Sequence, residues 1–348
     1  MAAYLATGFA AHGLNTELVI IARGGEAEGA IQPLISTSVA IQFLGDHGFT
    51  RPFDLLRRLP ALVRSLRFTD PDVVVAAANN VALITAVALR FAGLRATRLY
   101  IKTTNPIASS RHRGLVRALR RYTYRFAFRR ATAVWTLSAD ESREMREGFA
   151  EFSRLFRDVA NPYVTPAMLA APTVQAPVRP TALVVSVARL TRQKRLDRLI
   201  AAFEHVRTPG ARLLILGEGE DRAALQSMID RLGLGARVAM PGFSNDIPQI
   251  LHSAQLFVLT SAYEGLPAVV LEAMAANCPV LSTDCFPAAR SLLEQAEGCA
   301  IIEDPSPVLL AAQIDLHLTQ SRPTALRSIA ERYSIENGVR SHLEALNG

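Results

Sequence analysis

Short runs of β-branched and apolar residues alternate along the chain with stretches of 10–15 residues whose apolar positions recur at helical spacing. The runs fall at residues 18–22, 73–76, 98–102, 133–137, 183–188, 212–217, 256–259, 280–283 and 299–302. Strand and helix in alternation predict parallel sheets with helices on both faces, an α/β fold. The most apolar stretch, residues 73–94, is interrupted by Asn79-Asn80 and Arg90, so it reads as a buried strand followed by a helix, not a membrane span. Five prolines (Pro162, Pro166, Pro172, Pro177, Pro180) lie in an aperiodic stretch, the clearest linker in the chain. The expected organisation is a domain over residues 1–165, a linker over 166–180, a second domain over 181–329 and a terminal helix within 330–348. Two doubly wound, Rossmann-like domains place ligands at the carboxyl ends of their strands, facing a central cleft. The chemistry is therefore expected in the strand-to-helix loops of the second domain.

Composition narrows this picture. At 348 residues the length suits two domains, and 50% hydrophobic with 20% charged residues excludes a disordered or collagen-like chain. Three cysteines without C-x-x-C spacing argue against a disulfide framework or a zinc ribbon. No basic region precedes the first apolar residues, so a signal peptide is not expected; the expected location is cytoplasmic, or peripheral at the inner membrane. The net charge of +7 is uneven. Residues 1–170 hold 22 Lys+Arg against 13 Asp+Glu, and the remainder 16 against 18. A basic first half attracts nucleic acid, anionic lipid or phosphorylated ligands, and charge alone does not choose among them. Lys102 and Lys194 are the only lysines.

The most informative segment is Ser261-Ala-Tyr-Glu264-Gly265-Leu266-Pro267-Ala-Val-Val-Leu-Glu272-Ala-Met-Ala. It follows an apolar strand, and Pro267 suits the first helical position, where a missing N–H costs nothing. The backbone around Gly265, Leu266 and Pro267 then forms a helix N-terminus, a seat for phosphate. Glu264 precedes the helix and Glu272 lies about one and a half turns into it, so both can reach one ligand. The plainer readings are a dipole-stabilising anion for Glu264 and a solvated helix face for Glu272. Arg189 and Lys194 stand in a run with Arg192, Arg195 and Arg198, where a solvated face is again the plain alternative. Gly217 and Gly219 suit a strand–turn–helix corner better than a phosphate cradle. Asp284 either caps a turn or lines the pocket.

The spacing from Glu264 to Glu272, with Gly-Leu-Pro after the first and Glu-Ala-Met-Ala at the second, resembles the retaining glycosyltransferases of family 4, which have the GT-B fold. Five further segments follow in that family's order: Val187-Ala-Arg189-Leu-Thr-Arg-Gln-Lys194-Arg-Leu-Asp197-Arg-Leu-Ile200-Ala-Ala-Phe203, Leu216-Gly217-Glu-Gly219, Val238-Ala-Met-Pro-Gly242-Phe243, Ala254-Gln-Leu-Phe-Val-Leu-Thr260 and Pro279-Val-Leu-Ser-Thr-Asp284. The resemblance is close over residues 183–302 and loose over residues 1–160. It implies a nucleotide-diphosphate sugar donor, UDP-sugar favoured over GDP-sugar, with Arg189 and Lys194 neutralising the departing diphosphate and no metal or other cofactor. It further implies that Glu264 orients the sugar, Glu272 holds the ribose, Gly242-Phe243 lie near the base and Gly217 belongs to the donor site. Ala188 stands where the family has glycine, and residues 285–291 depart from the loop of one subset.

Relatives begin with a strand and a Gly-Gly loop, whereas this sequence opens inside the helix that follows, at residues 3–11. A central strand of the first sheet is therefore expected to be missing, and truncation or an internal start is the expectation that follows. Thr104-Asn105 occupies the place of a His-Asn pair. Asp70-Pro-Asp72 matches D-x-D but precedes a strand, so it reads as a turn. Residues 111–130 hold eight arginines and no acid, with Leu115, Leu119, Tyr122 and Phe126 at helical spacing. That pattern suits a helix drawn to anionic lipid, or a core stripe with exposed cations. No recognition motif supports nucleic acid as a partner. The resulting expectation is a retaining hexosyltransferase that builds bacterial surface polysaccharide or glycolipid on a lipid-linked or saccharide acceptor, its terminal helix crossing back to the first domain. The rivals are a catalytically silent nucleotide-sugar-binding relative and, third, a nucleotide-sugar epimerase.

Overall fold

A computed structural model describes residues 1–21, 34–45, 54–107, 114–170 and 182–347. The chain forms two compact units, residues 1–162 with 335–348, and residues 163–334.

The first unit opens with helix α1 (Ala2–Ala11), then strands β1 (Glu17–Ile20) and β2 (Ala40–Phe43), which pair in parallel. Helix α2 (Leu59–Thr69), β3 (Val73–Ala76), α3 (Asn79–Ala92), β4 (Arg98–Lys102), α4 (Gly114–Arg130), β5 (Ala133–Thr136), α5 (Ala139–Gly148) and β6 (Phe156–Asp158) follow. Strands β3-β4-β5-β6 form a second parallel sheet, and among the described residues no ladder joins β1 to β3. β5 is wholly buried, whereas three of the four β3 residues are only half-buried, as befits an edge.

Local chemistry ends and starts these helices. Asp70, in the left-handed region at φ 41°, closes α2, so Asp70-Pro-Asp72 is a turn. Gly93, at φ 82°, closes α3. Ser138 caps α5 by accepting the Glu141 N–H at 3.1 Å, while the Glu141 carboxylate accepts the Leu137 N–H at 2.7 Å, a displaced capping box.

The expected terminal helix is broken: one helix ends at Glu331, a turn follows, and the C-terminal helix runs over Ile335–Asn347. It belongs to the first unit and packs on α1. A Cβ on Gly8 would overlap Val339, and one on Gly338 would overlap the Pro162 backbone, so both glycines serve close packing. Tyr100, Trp135, Leu5, Phe9, Val339 and Leu346 form the core beneath these two helices.

The second unit begins with α6 (Pro166–Ala170), inside the stretch expected as linker, which contacts α10 introduced below. The rest of the expected linker, residues 171–180, lies outside the described residues. Then come β7 (Leu183–Val187), α7 (Leu196–Phe203), β8 (Arg212–Leu216), α8 (Arg222–Arg231), β9 (Val238–Gly242), α9 (Ile247–Ser253), β10 (Leu256–Leu259), α10 (Ala268–Ala275), β11 (Val280–Thr283), α11 (Ala289–Leu293), β12 (Ala300–Ile302), α12 (Pro307–Thr319) and α13 (Leu326–Glu331). The six strands are parallel in the order β12-β11-β10-β7-β8-β9. Chain order reverses beside β7, which makes the β7/β10 boundary the switch point where such sheets bind ligands.

Three strands escaped the hydrophobic pattern. β2 is Ala-Ile-Gln-Phe, β6 carries Arg157 and Asp158, and β9 carries Pro241 and Gly242. β9 tolerates proline because it is an edge strand, and the β8–β9 register shifts between Leu214 and Leu216.

Candidate active site

The loops at the carboxyl ends of β7 to β11 are tied to one another in the order of their strands. After β7, the Ala188 N–H donates to the Leu216 carbonyl at 3.0 Å and the Leu190 N–H to the Glu218 carbonyl at 2.8 Å. Gly217, at φ 129°, sends its own N–H to the Gly242 carbonyl at 2.8 Å. A Cβ there would overlap the Ala188 carbonyl, and one on Gly219 would overlap Leu190. These glycines thus serve backbone-to-backbone approach at the corner. Gly242, at φ 96°, lies against the Glu218 carboxylate, which Arg222 holds at 2.7 Å while also donating to the Met240 carbonyl at 2.7 Å. Phe243 follows with its ring exposed.

Across the switch point the β7 and β10 loops are equally joined. Thr260 Oγ1 donates to the Lys194 and Arg195 carbonyls at 3.1 and 3.0 Å, and Gln193 Nε2 to the Tyr263 carbonyl at 2.8 Å. The Ala262 N–H donates to the Gln193 carbonyl at 2.8 Å. On the far side, Thr283 Oγ1 donates to the Ser261 carbonyl at 2.7 Å, and the Glu264 N–H to the Cys285 carbonyl at 2.6 Å. Sequence reading passed over Gln193, Thr260 and Thr283. Their signal was a polar residue at or beyond the end of a strand otherwise made of apolar ones.

This framework brings Lys194 Nζ to 2.6 Å from Glu264 Oε1, with Glu264 only 7% exposed. Arg189, five residues before Lys194, is exposed, and among the described residues its guanidinium makes no hydrogen bond or ion pair. The helix start differs by one residue from expectation. Pro267, at φ −71° and ψ 114°, is the N-cap of α10, and helical geometry begins at Ala268. Gly265, Leu266 and Pro267 are buried in the turn that leads in. Glu272 lies on α10, half-buried and, among the described residues, without a charged partner, and burial raises its carboxyl to about 7.

Asp284 leaves the centre of the site. It pairs with Arg290 at 2.8 Å, and Arg290 also meets Glu294 and Glu303 at 3.0 and 2.9 Å on the surface. Cys285 is buried beside Glu264 and Lys194, its thiol pushed up to about 11 by burial and therefore neutral. In the first unit, Thr104 and Asn105 are held by one side chain: Asn79 Oδ1 accepts the Thr104 N–H at 2.9 Å and Asn79 Nδ2 donates to the Asn105 carbonyl at 2.7 Å.

The basic helix α4 divides its cations. Arg121 sits over the Phe149 ring at 4.8 Å, Arg125 pairs with Glu151 at 2.5 Å, and Arg130 donates to the Leu94 and Thr97 carbonyls at 2.8 and 2.6 Å. Leu119 and Tyr122 are exposed, so those two are not core contacts, whereas Phe126 is half-buried. The side chain of Leu115 lies outside the described residues. Among the described residues no helix is long and apolar enough to cross a membrane.

Residues 1–156 match the family described as Glycosyl transferase 4-like domain, and residues 174–335 match Glycosyl transferases group 1. The chain belongs to the group 1 glycosyltransferases. It is 28% identical over 254 residues to an uncharacterized glycosyltransferase of Methanocaldococcus jannaschii, covering 70% of this chain and 63% of that one. It is 37% identical over 101 residues to the lipopolysaccharide core biosynthesis glycosyltransferase LpsE of Rhizobium meliloti, 29% of each chain. The matched part spans less than two thirds of the length of these relatives. Among solved structures, Anabaena HepE in complex with UDP and glucose aligns with a TM-score of 0.78 at 20% identity, over 99% of this group 1 chain and 95% of that one. That likeness is one of fold, two Rossmann-like domains of the GT-B class.

Proposed function

We propose that this group 1 glycosyltransferase moves a hexose or similar sugar, with retention, from a nucleotide-diphosphate sugar to a lipid-linked or saccharide acceptor of bacterial surface polysaccharide or glycolipid. The observation that carries the reading is the Lys194–Glu264 contact at the switch point, with Arg189, exposed and unpaired among the described residues, on the same loop. A diphosphate leaving group must have its charge neutralised, and Arg189 and Lys194 supply a planar fork and a point charge for it. In this reading the donor phosphate draws Lys194 from Glu264, and Glu264 then accepts hydrogen bonds from sugar hydroxyls. No metal is assigned to the step, since the two cations take that part. Glu272 accepts the ribose hydroxyls, Phe243 after Gly242 lies at the base, and Gly217 shapes the corner between them. The bond from the anomeric carbon to the diphosphate oxygen breaks as the acceptor oxygen bonds on the same face. The departing phosphate oxygen takes the acceptor proton. UDP is favoured as the nucleotide; HepE was solved with UDP and glucose.

A cytoplasmic protein, peripheral at an anionic membrane through α4, fits the exposed Leu119 and Tyr122. A catalytically silent relative is the second reading, favoured by the split sheet of the first unit. A thermal-shift panel of UDP-, GDP- and ADP-sugars, followed by donor turnover in wild type and Glu264→Ala, tests both. A UDP-sugar should raise the melting temperature by mass action, and wild type alone should turn it over. Binding without turnover in either protein would establish the silent reading; no binding by any of the three donors would remove both.

A further inference from the structure

Lys102 ends β4 with its side chain fully buried, yet among the described residues Nζ has no hydrogen-bond partner. Its neighbour in register on β5 is Trp135, so the two project from the same face of the sheet, beneath α1 and the C-terminal helix. Trp135 Nε1, Glu141 Oε1 and His342 Nε2 are also buried and find no partner among the described residues. His342 stands edge-on to Trp135 with ring centres 5.0 Å apart. Its Nδ1 lies 2.6 Å from the Gly338 carbonyl, which can only accept, so Nδ1 carries the proton and Nε2 offers a lone pair. The second oxygen of Glu141 accepts from Thr103 Oγ1 at 2.9 Å and from the Leu137 N–H. The cluster thus presents two donors, from Lys102 and Trp135, and two acceptors, from Glu141 and His342.

That set selects its occupant. An anion would meet the Glu141 carboxylate and the His342 lone pair, a cation would meet Lys102, and an apolar group would satisfy none of the four. Water donates and accepts, and an internal water usually makes about three hydrogen bonds to such groups. We propose that Lys102, Trp135, Glu141 and His342 enclose an internal water site, and that water bridging Lys102 to Glu141 positions the loop after β4. Glu141 holds Thr103 directly, and Asn79 holds the next two residues from the other side. The site is independent of the glycosyl-transfer reading.

The charged and titratable groups facing the pair are the Met1 amino group on α1, Glu144 on α5 and His342 on the C-terminal helix. Burial lowers Lys102 from 10.5 to about 7 and raises Glu141 from 4.5 to about 7. Between pH 7 and 10.5 the unfolded chain keeps a Lys102 proton that the folded chain has released. Raising the pH through that window therefore favours folding, by up to about tenfold per pH unit. Between pH 4.5 and 7 the folded chain holds a Glu141 proton that the unfolded chain has lost, and raising the pH there disfavours folding.

The test joins a high-resolution crystal structure of the whole chain with pH–stability curves and amide exchange for wild type, Lys102→Met and Glu141→Gln. Glu141→Gln keeps an acceptor for Leu137 and Thr103, so one variant survives even if the other fails to fold. We expect water density within hydrogen-bond distance of Lys102 Nζ and Glu141 Oε1. The gain in stability from pH 7 to 10 should vanish in Lys102→Met, and exchange at Thr103 and Thr104 should quicken about tenfold in each folded variant. A dry Lys102 or a bound ion would overturn the water site; unchanged exchange in the folded variants would overturn the positioning role.

Discussion

In the second unit six strands run unbroken from β12 to β9, and the ties between loops continue the ladder past the strand ends as backbone hydrogen bonds: Ala188 to Leu216, Gly217 to Gly242, Glu264 to Cys285. In the first unit, among the described residues, no ladder joins β1 to β3. There the loop after β4 owes much of its placement to the side chains of Asn79 and Glu141. One alternation of strand and helix has thus given two kinds of loop. Backbone ties call for glycine where two segments approach as closely as Gly217 and Gly219 approach Ala188 and Leu190, while side-chain ties demand a particular amide or carboxylate. The two units should therefore fail in different ways when altered.

The largest effect is expected where the second unit places charge. Lys194→Ala should lower donor turnover by about 10²–10³-fold, the loss seen when one donor to a developing anion is removed. It also leaves Glu264 buried with no counter-charge, so Lys194→Met, Glu264→Gln and the double variant should be read together for turnover and stability. Removing both partners should restore stability but not turnover. A Lys194→Ala enzyme with wild-type turnover would end the assignment.

A middle-sized pair compares the units directly. Gly217→Ala forces a side chain into φ 129° and against the Ala188 carbonyl, and should cost about 3 kcal/mol in a denaturant titration. Asn79→Ala removes two hydrogen bonds at a half-exposed loop and should cost about 1–2 kcal/mol. Its damage should be confined to exchange at residues 103–105. Equal costs, or damage spread through the first unit by Asn79→Ala, would show that the two kinds of loop do not differ.

How much of this was legible in the sequence follows the same division. The second unit could be read because β7, β8, β10 and β11 are mostly apolar runs, and because Glu264, Lys194 and Gly217 stand in motifs whose spacing is readable in the chain. Pro267 moved by only one position, from the first helical residue to the cap. The first unit was harder. β2 is interrupted by Gln42, β6 carries Arg157 and Asp158 among its three residues, and the turn at residues 332–334 broke an expected helix without glycine or proline to announce it. Lys102 and Glu141 were invisible for another reason. Each looks like a surface residue in one dimension; the pairing of β4 with β5 beneath α1 and the C-terminal helix makes Lys102 interior, and Glu141 is turned inward onto Thr103 and Leu137. The scarcity of lysine was the one available hint, since Lys102 and Lys194 are the only two in the chain and both are largely buried.

The smallest expected effect sharpens the contrast between the carboxylates. Glu264 is paired with Lys194, whereas Glu272 has no cation beside it among the described residues and its carboxyl is raised to about 7 by burial. Ribose hydroxyls donate best to the ionised form, so donor binding should favour the carboxylate and release a proton near neutrality. Affinity for a UDP-sugar should then rise about three- to tenfold from pH 6 to 8, by calorimetry in buffers of different ionisation enthalpy. Glu272→Gln should bind more weakly at pH 8 and show a flat profile. The contribution to folding runs the other way: with the folded value raised, stability from this group falls as pH climbs from 4.5 to 7. If affinity instead fell over pH 6 to 8 in wild type and not in Glu272→Gln, the protonated acid would be the binding form. Glu272 would then donate to the ligand, and its assignment as the acceptor for ribose hydroxyls would have to be given up.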